Sequence, residues 1–404
     1  MNIYPDIAML HEEMRQWRRH FHQYPETAYE EQQTADFICR QLQSFGLEVE
    51  CGLGVTGVVG ILSVGQSKRK IALRADMDAL FIEERNDVEY KSRHPGKMHA
   101  CGHDGHSAML LGAAKYLAEN RHFDGTVYFI FQPAEEGRAG AKRMIDDGLF
   151  ERFPAQAVFG LHNFPDIPAG HFAVKPGAMM ASFDCFEIRL CGTATHAAMP
   201  HLGDDVMLAA AQTVTALQAI VSRHVNPVEA AVVSVTQIHG GNTWNAIPDE
   251  VVLRGTYRCF NTNVQALIEN KIRHIAESVA QCFGLRADVK INPENPGYPV
   301  TWNSDAETAA AIAAAQAVVG SEAVDLQPVA SMGSEDFAFM LQQKPGCYLW
   351  LGNGPGAGGC LLHNPHYDFN DDILPVGASY WVKLVEMQLA PVSCWNTGAV
   401  TSVI

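Results

Sequence analysis

Short apolar runs that alternate with helix-like stretches constrain the fold of this chain more than any other feature. The runs "VTGVVGILSV", "KIALRAD", "GTVYFIFQ" and "AQAVFGLH" are bounded by Gly, Pro or charged residues and are typical of buried strands. Residues 7–22 and 29–45 and the segment "SAMLLGAAKYLAENR" carry apolar residues at helical spacing. This alternation predicts an α/β fold with a mostly parallel, helix-covered sheet.

The pattern changes from about Asp184 onward. Here the order is strand, helix, strand, strand, helix, strand, which is the βαββαβ order of a small ferredoxin-like sandwich. The segments "AAAIAAAQAVVG", "PGCYLWLGNG" and "YWVKLVEMQLA" then resume helix, strand and helix. We therefore predict a main domain made of residues 1–183 and 298–404, interrupted by an inserted domain at 184–297. The tail 393–404 has no pattern from which we draw a prediction.

Composition excludes several classes of function. With a formal charge of −16 over 404 residues, the chain lacks the basic footprint of a nucleic-acid binder. We find no apolar run close to the roughly 20 residues that cross a bilayer and no secretory signal pattern, so we predict a cytoplasmic protein that does not bind membranes. Its ten cysteines are then expected to be mostly reduced. Cys39, among others, has the apolar surroundings of a small core residue.

Candidate metal ligands follow the predicted strands. In chain order they are Asp76, Asp78, Cys101, His103, Glu135, Glu136, His162, His363 and His366. In an open parallel sheet, ligands collect at the carboxyl ends of the strands. The topology therefore brings side chains that are distant in sequence to one edge of the sheet. The segment "HACGHDGHSAM" in particular predicts a metal site.

The types and number of these side chains indicate the chemistry. Thiolate, imidazole and carboxylate together favour zinc or a similar divalent ion, and more than four ligands favour two ions. Two ions about 3.5–4 Å apart can hold a bridging water and polarise a carbonyl. Glu135 and Glu136 are adjacent, so one carboxylate can bind metal while the other takes a proton from the water.

Two other interpretations of the cluster stay open. A structural zinc site ordinarily has paired spacings such as C-x-x-C, which do not occur here. A thiol-nucleophile hydrolase would use Cys101 with His103 as its base, but two residues of separation is poor geometry and leaves the other ligands without a role. For His106, packing at the helix start, a hydrogen bond behind the site and ligation are all open. His99 is interpreted as a loop residue.

Eight motifs in order carry a resemblance to a known family. They are "RADMDAL", "GKMHACGHDGHSAMLLGAA", "FQPAEEG", "GLHNFP", "THAAMPHLG", "NAIPDEVVLRGTYR", "MGSEDFAFM" and "LHNPHYDFND". The chain resembles the amidohydrolase branch of the aminoacylase and carboxypeptidase metallopeptidases, which includes hippurate hydrolases, N-acyl-amino-acid amidohydrolases and hydrolases of auxin–amino-acid conjugates. The resemblance runs from "WRRHFHQYPE" to "DFND", nearly the whole chain.

The resemblance implies a site with two divalent ions per subunit. Zinc or manganese is expected, and cobalt or nickel is compatible. The implied ligands are Cys101 in the bridging position, His103, Glu136, His162 and His363. Glu135 is implied as the general base, and Asp78 as a residue that orients a neighbouring group. Asp76 stands where related enzymes have a histidine ligand.

The resemblance also implies that the inserted domain is a lid and a dimerisation domain. His196 would reach the active site of a neighbouring subunit and stabilise the oxyanion. Asn245, Arg258 and the loop at Gly333 would bind the substrate. From the residues alone, Arg258 is equally consistent with a solvated strand position, and Asn245 with a turn before Ile247. We expect a homodimer or a higher homo-oligomer through this domain.

The predicted function is metal-dependent hydrolysis of the amide bond in N-acyl-L-amino acids, with N-benzoylglycine-like substrates first. The predicted partner is therefore a small N-acyl amino acid. Alternatives on the same scaffold are a carboxypeptidase or dipeptidase, and a deacetylase of an N-acetylated intermediate. A non-catalytic carboxylate-binding protein is the alternative from a different class.

Overall fold

The computed structural model describes residues 1–294, 296–355 and 360–391. The strands are β1 (Glu48–Leu53), β2 (Gly57–Val64), β3 (Lys70–Asp76), β4 (Gly125–Gln132), β5 (Ala157–Phe164), β6 (Phe172–Ala173), β7 (Gly177–Met180), β8 (Asp184–Cys191), β9 (Thr195–His196), β10 (Ala231–Gly240), β11 (Ala246–Ile247), β12 (Glu250–Cys259), β13 (Arg286–Ile291), β14 (Thr301–Asn303), β15 (Val324–Asp325) and β16 (Gly346–Gly352). The tail 393–404 lies outside the described residues.

The helices vary widely in length. They are α1 (Pro5–Met9), α2 (His11–Gln23), α3 (Gln32–Ser44), α4 (His103–Asn120), α5 (Glu135–Arg138), α6 (Gly140–Asp146), α7 (Leu149–Arg152), α8 (Val206–Leu217), α9 (Thr262–Cys282), α10 (Asp305–Val319), α11 (Ala338–Gln343) and α12 (Leu374–Gln388). The predicted α/β class and the alternation of strands and helices are confirmed.

The chain forms two compact units. The first contains Met1–Gly177, Asn303–Pro328 and the described part of Met340–Ile404. The second contains Ala178–Trp302 and Val329–Phe339. The domain boundaries expected from the sequence, with their catalytic and lid roles, stay a prediction.

The first unit is built on an eight-stranded sheet with the order β1-β2-β4-β3-β5-β16-β6-β15. Its centre is parallel, because β4, β3, β5 and β16 run in the same direction. The register aligns their ends: Asp76 of β3 lies opposite Gln132 of β4, and His162 of β5 lies opposite Trp350 of β16. The carboxyl ends of these strands therefore meet at one edge, as the sequence predicts.

Burial on both faces explains why the central strands of this sheet are continuous apolar runs in the sequence. Every residue of β4 and of β16 is buried, as expected for a sheet with both faces covered by helices. Helix α4 is buried along most of its length, between α12, α2 and β3. It therefore has apolar residues around its circumference instead of a single stripe.

The second unit contains a four-stranded antiparallel sheet with the order β10-β12-β8-β13. Together with α8 and α9, these strands follow the βαββαβ order, and this sheet order is that of a ferredoxin-like sandwich. Both helices pack on the sheet and share its apolar core, in which Ile188, Leu253 and Ile272 are fully buried.

Cys39 is buried in the core, as expected, but its covalent partner was not predicted. Cys39 of α3 and Cys51 of β1 are joined by a disulfide, so Cys39 is not a free thiol in the core. Helix α3 packs against β1, which brings the two sulfurs together. The other cysteines within the described residues are free thiols, in agreement with the expectation that most are reduced.

One helical stretch of the described chain, Val206–His224, is long and apolar enough to cross a membrane by length and composition alone. The core helices of many proteins without membrane spans meet the same criterion. In this structure the stretch packs one face on the sheet of the second unit, where Val206, Ala210 and Leu217 are buried.

Candidate metal centre

The loop before α4 presents two of the predicted ligands. Gly102 separates Cys101 from His103 and has φ +92°, in the left-handed region that glycine adopts at no cost. A Cβ at this position would lie 2.2 Å from Nδ2 of Asn163 and 2.7 Å from the hydroxyl of Tyr367. Only glycine fits here, and the turn it permits lets both Cys101 and His103 lie at the strand edge.

Cys101 and His162 are neighbours at this edge. The Sγ atom of Cys101 lies 3.4 Å from Nε2 of His162. The other ring nitrogen, Nδ1, is 2.7 Å from the main-chain oxygen of Asn163, so Nδ1 carries the proton and Nε2 has its lone pair available. Burial and the neighbouring His106 hold the pKa of His162 well below its usual range. His162 is therefore a neutral imidazole suited to bind a metal.

His103 is held by a carboxylate on one side only. Its Nδ1 atom donates to Oδ1 of Asp78 at 3.2 Å. Its Nε2 atom is buried, has no hydrogen-bond partner in the described part of the chain, and lies 3.7 Å from Asp76 and 3.9 Å from Glu136. A histidine that donates through one nitrogen to a carboxylate and leaves the other free has the arrangement of a metal ligand.

Glu136 and His363 form the other side of the site. Oε1 of Glu136 lies 3.2 Å from Nε2 of His363. His363 has φ +64°, and its main-chain N–H donates to the carbonyl of Ala100 at 2.7 Å. This bond fixes the His363 loop to the segment that carries Cys101. Burial raises the pKa of Glu136, but the close contact with His363 and the charge of His103 lower it more, so the net pKa is lowered.

Asp76 and His106 lie beside these groups and are bonded to protein partners. Nδ1 of His106 donates to Oδ1 of Asp76 at 2.6 Å, and Arg74 donates to Oδ2 at 2.9 Å. Nε2 of His106 accepts the main-chain N–H of Asn163 at 2.9 Å. Because both nitrogens of His106 are occupied, a hydrogen-bonding role fits this side chain better than ligation. The charges around Asp76 lower its pKa well below normal, although burial acts to raise it.

Among the described residues of the first unit, three overlapping groups of side chains could hold divalent ions. They are Cys101, Glu136 and His363; His103, Glu135 and Glu136; and Asp76, His103, His106 and His162. Within each group the candidate ligand atoms lie within 4.8 Å of one another. The five predicted ligands and Glu135 are thus brought together, whereas His366 is exposed and belongs to none of these groups.

The donor set fits metal ions for a physical reason. Among the residues that the structure describes, the Nε2 atom of His103 and the Oε1 atom of Glu136 are buried without a hydrogen bond, an arrangement that costs free energy unless a cation binds them. Thiol, imidazole and carboxylate donors together suit a borderline divalent ion. The side chains of the site therefore fit the predicted centre.

Sequence reasoning missed Asn163, whereas its interpretation of His99 as a loop residue agrees with the structure. Asn163 donates from Nδ2 to the carbonyl of Cys101 at 2.6 Å and accepts from the hydroxyl of Tyr367 at 2.6 Å. Its position directly after His162, at a strand end, was the available signal. His99 is fully buried in its loop, and burial lowers its pKa to about 3, so it is a neutral core residue.

The remaining predicted residues lie in the second unit. His196 of β9 pairs with Ala246 of β11, and the carbonyl of Asn245 accepts the N–H of Ala197 at 2.9 Å, so His196 and Asn245 are brought together. Arg258 of β12 is half-buried, with its guanidinium carbon 4.5 Å from the ring centre of Phe183.

Gly333 is in the segment Val329–Phe339 of the second unit. Its carbonyl accepts the N–H of Ala181 at 3.0 Å, and its own N–H donates to the hydroxyl of Ser331 at 3.0 Å. Gly333 is exposed.

Comparison with known proteins identifies the relatives of this chain. The model of a family described as peptidase family M20/M25/M40 matches residues 72–387. The hippurate hydrolase of Campylobacter jejuni is 42% identical over 95% of this chain and 98% of its own length. The N-acetyl-L-cysteine deacetylase of Bacillus subtilis is 39% identical over 93% of this chain and 88% of its own length.

A solved structure extends the comparison to three dimensions. The Bacillus subtilis YXEP protein, described as a dinuclear metal-binding peptidase of the M20 family, superposes with a TM-score of 0.82 and 33% identity. The match covers 95% of this chain and all of that one. The similarity therefore includes both units of the structure.

We expect metal binding to release protons. In the metal-free protein, burial lowers the pKa of His103, but Asp76 and Asp78 raise it more, to about 10. Burial and the charges of Glu136 and Glu135 raise the pKa of the Cys101 thiol well above normal. At pH 7 both groups hold a proton that a metal must displace, so affinity should rise with pH, by up to about two log units per pH unit.

Calorimetric titration of chelator-stripped protein with ZnCl2 or MnCl2, in two buffers with different ionisation enthalpies, counts the protons released. Cys101→Ser should release about one proton fewer than the unmodified protein. Cys185→Ser, at a free thiol of the second unit, is the matched control and should leave the count unchanged. Binding without proton release, or an affinity that falls as pH rises, would contradict the assignment.

Proposed function

This chain belongs to peptidase family M20/M25/M40 and is an amidohydrolase, and we propose that its substrates are N-acyl-L-amino acids. Compounds similar to N-benzoylglycine are the leading candidates. The hydrolytic family argues against the alternative of a non-catalytic carboxylate-binding protein. The cytoplasm stays the predicted location.

The observation that carries the proposal is a carboxylate beside the ligand groups. Glu135 is 7% exposed, and a carboxylate oxygen of Glu135 lies within 4.8 Å of ligand atoms of His103 and Glu136. A site that only binds metal or carboxylate has no need of this additional base. A water held among these side chains would be within reach of Glu135.

In the proposed reaction the bound ions, Glu135 and Asp78 have separate roles. When bound, two divalent ions, zinc or manganese first, supply Lewis acidity that activates water and polarises the amide carbonyl. Glu135 takes a proton from the attacking water and returns it to the leaving amine. Asp78 keeps His103 in the tautomer that exposes Nε2.

The second unit supplies the proposed substrate contacts. Arg258 makes no ion pair among the residues that the structure describes, so its charge is available for a substrate carboxylate, which it can bind through two parallel hydrogen bonds. Asn245 would contact the substrate carbonyl and the Gly333 loop the carboxylate. His196 would donate to the developing oxyanion.

Replacing Glu135 by Gln is expected to lower kcat for release of glycine from N-benzoylglycine by about 10²- to 10⁴-fold, because the amide cannot accept the proton. Metal content, measured by mass spectrometry, should not change. Glu151→Gln, an exposed glutamate of the same unit, is the control. A Glu135→Gln variant as active as the unmodified protein would refute the assignment of the base.

The same assay separates the alternative mechanisms. Chelator-stripped protein should be inactive and should recover when zinc or manganese is added back. Activity that survives stripping would favour a Cys101 nucleophile, although burial keeps this thiol protonated beside a neutral His162. N-acetylcysteine and dipeptides in the panel test the deacetylase and peptidase alternatives, of which the first is favoured by the Bacillus subtilis relative.

Arg258→Met is expected to raise KM by roughly 10- to 100-fold, because a charge-assisted contact contributes about 1.5–3 kcal/mol. The matched control is Arg254→Met on the same face of β12, where the guanidinium is paired with Glu187 at 2.8 Å. Steady-state kinetics with N-benzoylglycine make the comparison. An unchanged KM in Arg258→Met would assign the carboxylate contact to another group.

We also propose that two copies of the chain associate through the second unit. Strand β10 is an edge of its sheet and carries the exposed side chains Val232 and Ile238. An exposed apolar edge strand invites pairing with another chain. Met207 and Leu208, at the start of α8, add exposed apolar surface to the same unit.

Leu208→Glu is expected to shift the protein from a dimer, of about twice 44.2 kDa, toward a monomer, because it places a charge in the proposed interface. Light scattering after size-exclusion chromatography measures the mass. Leu326→Glu, an exposed leucine of the first unit, is the control. A monomeric unmodified protein would exclude the dimer.

A further inference from the structure

Two buried carboxylates hold the turn that carries Glu135 and Glu136. The main-chain N–H of Ala134 donates to Oε1 of Glu31 at 2.9 Å. The main-chain N–H of Glu136 donates to Oδ2 of Asp78 at 2.9 Å. The residue between them, Glu135, is thus fixed through the backbone on both sides. All of these groups belong to the first unit.

The backbone of this turn adopts conformations that need external support. Ala134 has φ +55° and ψ +39°, and Ala139 has φ +55° and ψ +50°. Both are in the left-handed region, which is disfavoured for residues with a Cβ. Gly137, at φ +75°, takes the same region without that penalty. Hydrogen bonds from outside the turn are therefore required to keep Glu135 where it lies.

The side chain of Glu31 bonds to the turn at Ala134 and not to its own helix. It is the residue immediately before α3, a position where a short side chain such as Asp or Ser ordinarily accepts N–H groups of the first helical turn. Its side chain makes no such bond. It is fully buried and reaches Ala134, 103 residues away, while its second oxygen accepts the hydroxyl of Thr56 at 2.7 Å.

Glu26 provides the cap that Glu31 leaves out. Its Oε2 atom accepts the N–H and the hydroxyl of Thr34 at 2.9 and 3.0 Å, and its Oε1 atom accepts the N–H of Gln33 at 3.2 Å. Two buried glutamates in one short segment therefore have separate tasks. Glu26 stabilises the start of α3, and Glu31 is bonded to the turn beside the metal ligands.

The surroundings of Glu31 are unfavourable for a negative charge. Burial first, and then the charge of Asp78, raise its pKa to about 7. Its partners are a backbone amide and a hydroxyl, both of which an uncharged carboxamide can also satisfy. Glutamine at this position should thus retain the geometry that alanine would lose.

We propose that Glu31 is a positioning residue of the active site, one that fixes the Ala134–Glu136 turn and through it the carboxylate of Glu135. The inference rests on the proposed role of Glu135 as the general base. A displacement of a reacting group by about 1 Å can cost 10²-fold in rate. Loss of the bond to Ala134 should therefore act on kcat and leave substrate binding unchanged.

The test compares Glu31→Ala, Glu31→Gln and Glu26→Ala. With N-benzoylglycine and metal added back, Glu31→Ala should lower kcat by roughly 10- to 100-fold, with KM and metal content within twofold of the unmodified protein. Glu31→Gln should restore kcat to within about threefold, since its amide oxygen can accept the N–H of Ala134. Glu26→Ala should lower the Tm and keep kcat.

A second measurement is independent of activity. In metal-free protein, amide hydrogen exchange in peptides that cover residues 133–140 should accelerate in Glu31→Ala and stay protected in Glu31→Gln and Glu26→Ala. If Glu31→Ala does not fold, Thr56→Val, which removes the donor to the second oxygen, should give a smaller loss of kcat and of protection in the same peptides.

The outcomes separate this inference from the proposed function. Unchanged kcat and unchanged exchange in Glu31→Ala would overturn the positioning role. Equal losses in Glu31→Ala and Glu26→Ala would also overturn it, because the effect would then be one of general stability. An unmodified protein without amidohydrolase activity would refute the proposed substrates, while the exchange of residues 133–140 would still decide whether Glu31 holds the turn.

Discussion

Burial of ionisable side chains at the carboxyl ends of β3, β4 and β5 is the constraint on which the rest of the structure depends. Asp76, Asp78 and His103 are excluded from solvent, and a buried charge without partners costs several kcal/mol. Each of them is therefore hydrogen-bonded. Asp76 bonds His106 and Arg74, and Asp78 bonds His103 and the backbone amide of Glu136. This network fixes the side-chain rotamers before a metal arrives, which is the preorganisation that a metal site requires.

A second buried network supports the first from behind α4. Arg18 of α2 lies 3.0 Å from Asp104, the residue after His103, and is also paired with Asp368. His22, one turn further along α2, bonds Asp104 at 2.8 Å and Glu84 at 3.1 Å. Helix α2, the first turn of α4 and the segment after His363 are thus joined through one guanidinium. Arg18 and His22 both bond Asp104, so loss of either would leave a buried charge incompletely paired, and together they fix the first turn of α4, which begins at His103.

The sequence predicted those parts of the protein that follow from periodicity and strand order. The apolar runs located β3, β4 and β5, and their parallel arrangement was enough to bring Cys101, Glu136 and His162 to one edge. The role of Glu31 could not be predicted, because its partner is a backbone amide 103 residues away and every residue type except proline has that donor. The disulfide could not be predicted for a related reason, since the pairing of Cys39 with Cys51 depends on how α3 packs beside β1. Side chains that follow predicted strands can be recognised in one sequence, whereas contacts that depend on how separate elements pack, to a side chain or to a main chain, require the fold.

The balance of charge at the edge of the sheet explains why this arrangement selects divalent cations. Asp76, Asp78, Glu135 and Glu136 converge there, and among the histidines His162 is kept neutral by burial and by its neighbour His106. Arg74 bonds Asp76, and the Oε1 atom of Glu136 lies near the imidazoles of His103 and His363. Like charges this close repel in a medium of low dielectric constant, and a divalent ion relieves that repulsion more fully than a proton on His103 does. The carboxylates that position the base and those that bind metal therefore place excess negative charge at the same edge of the sheet. Divalent ions bound there would neutralise it.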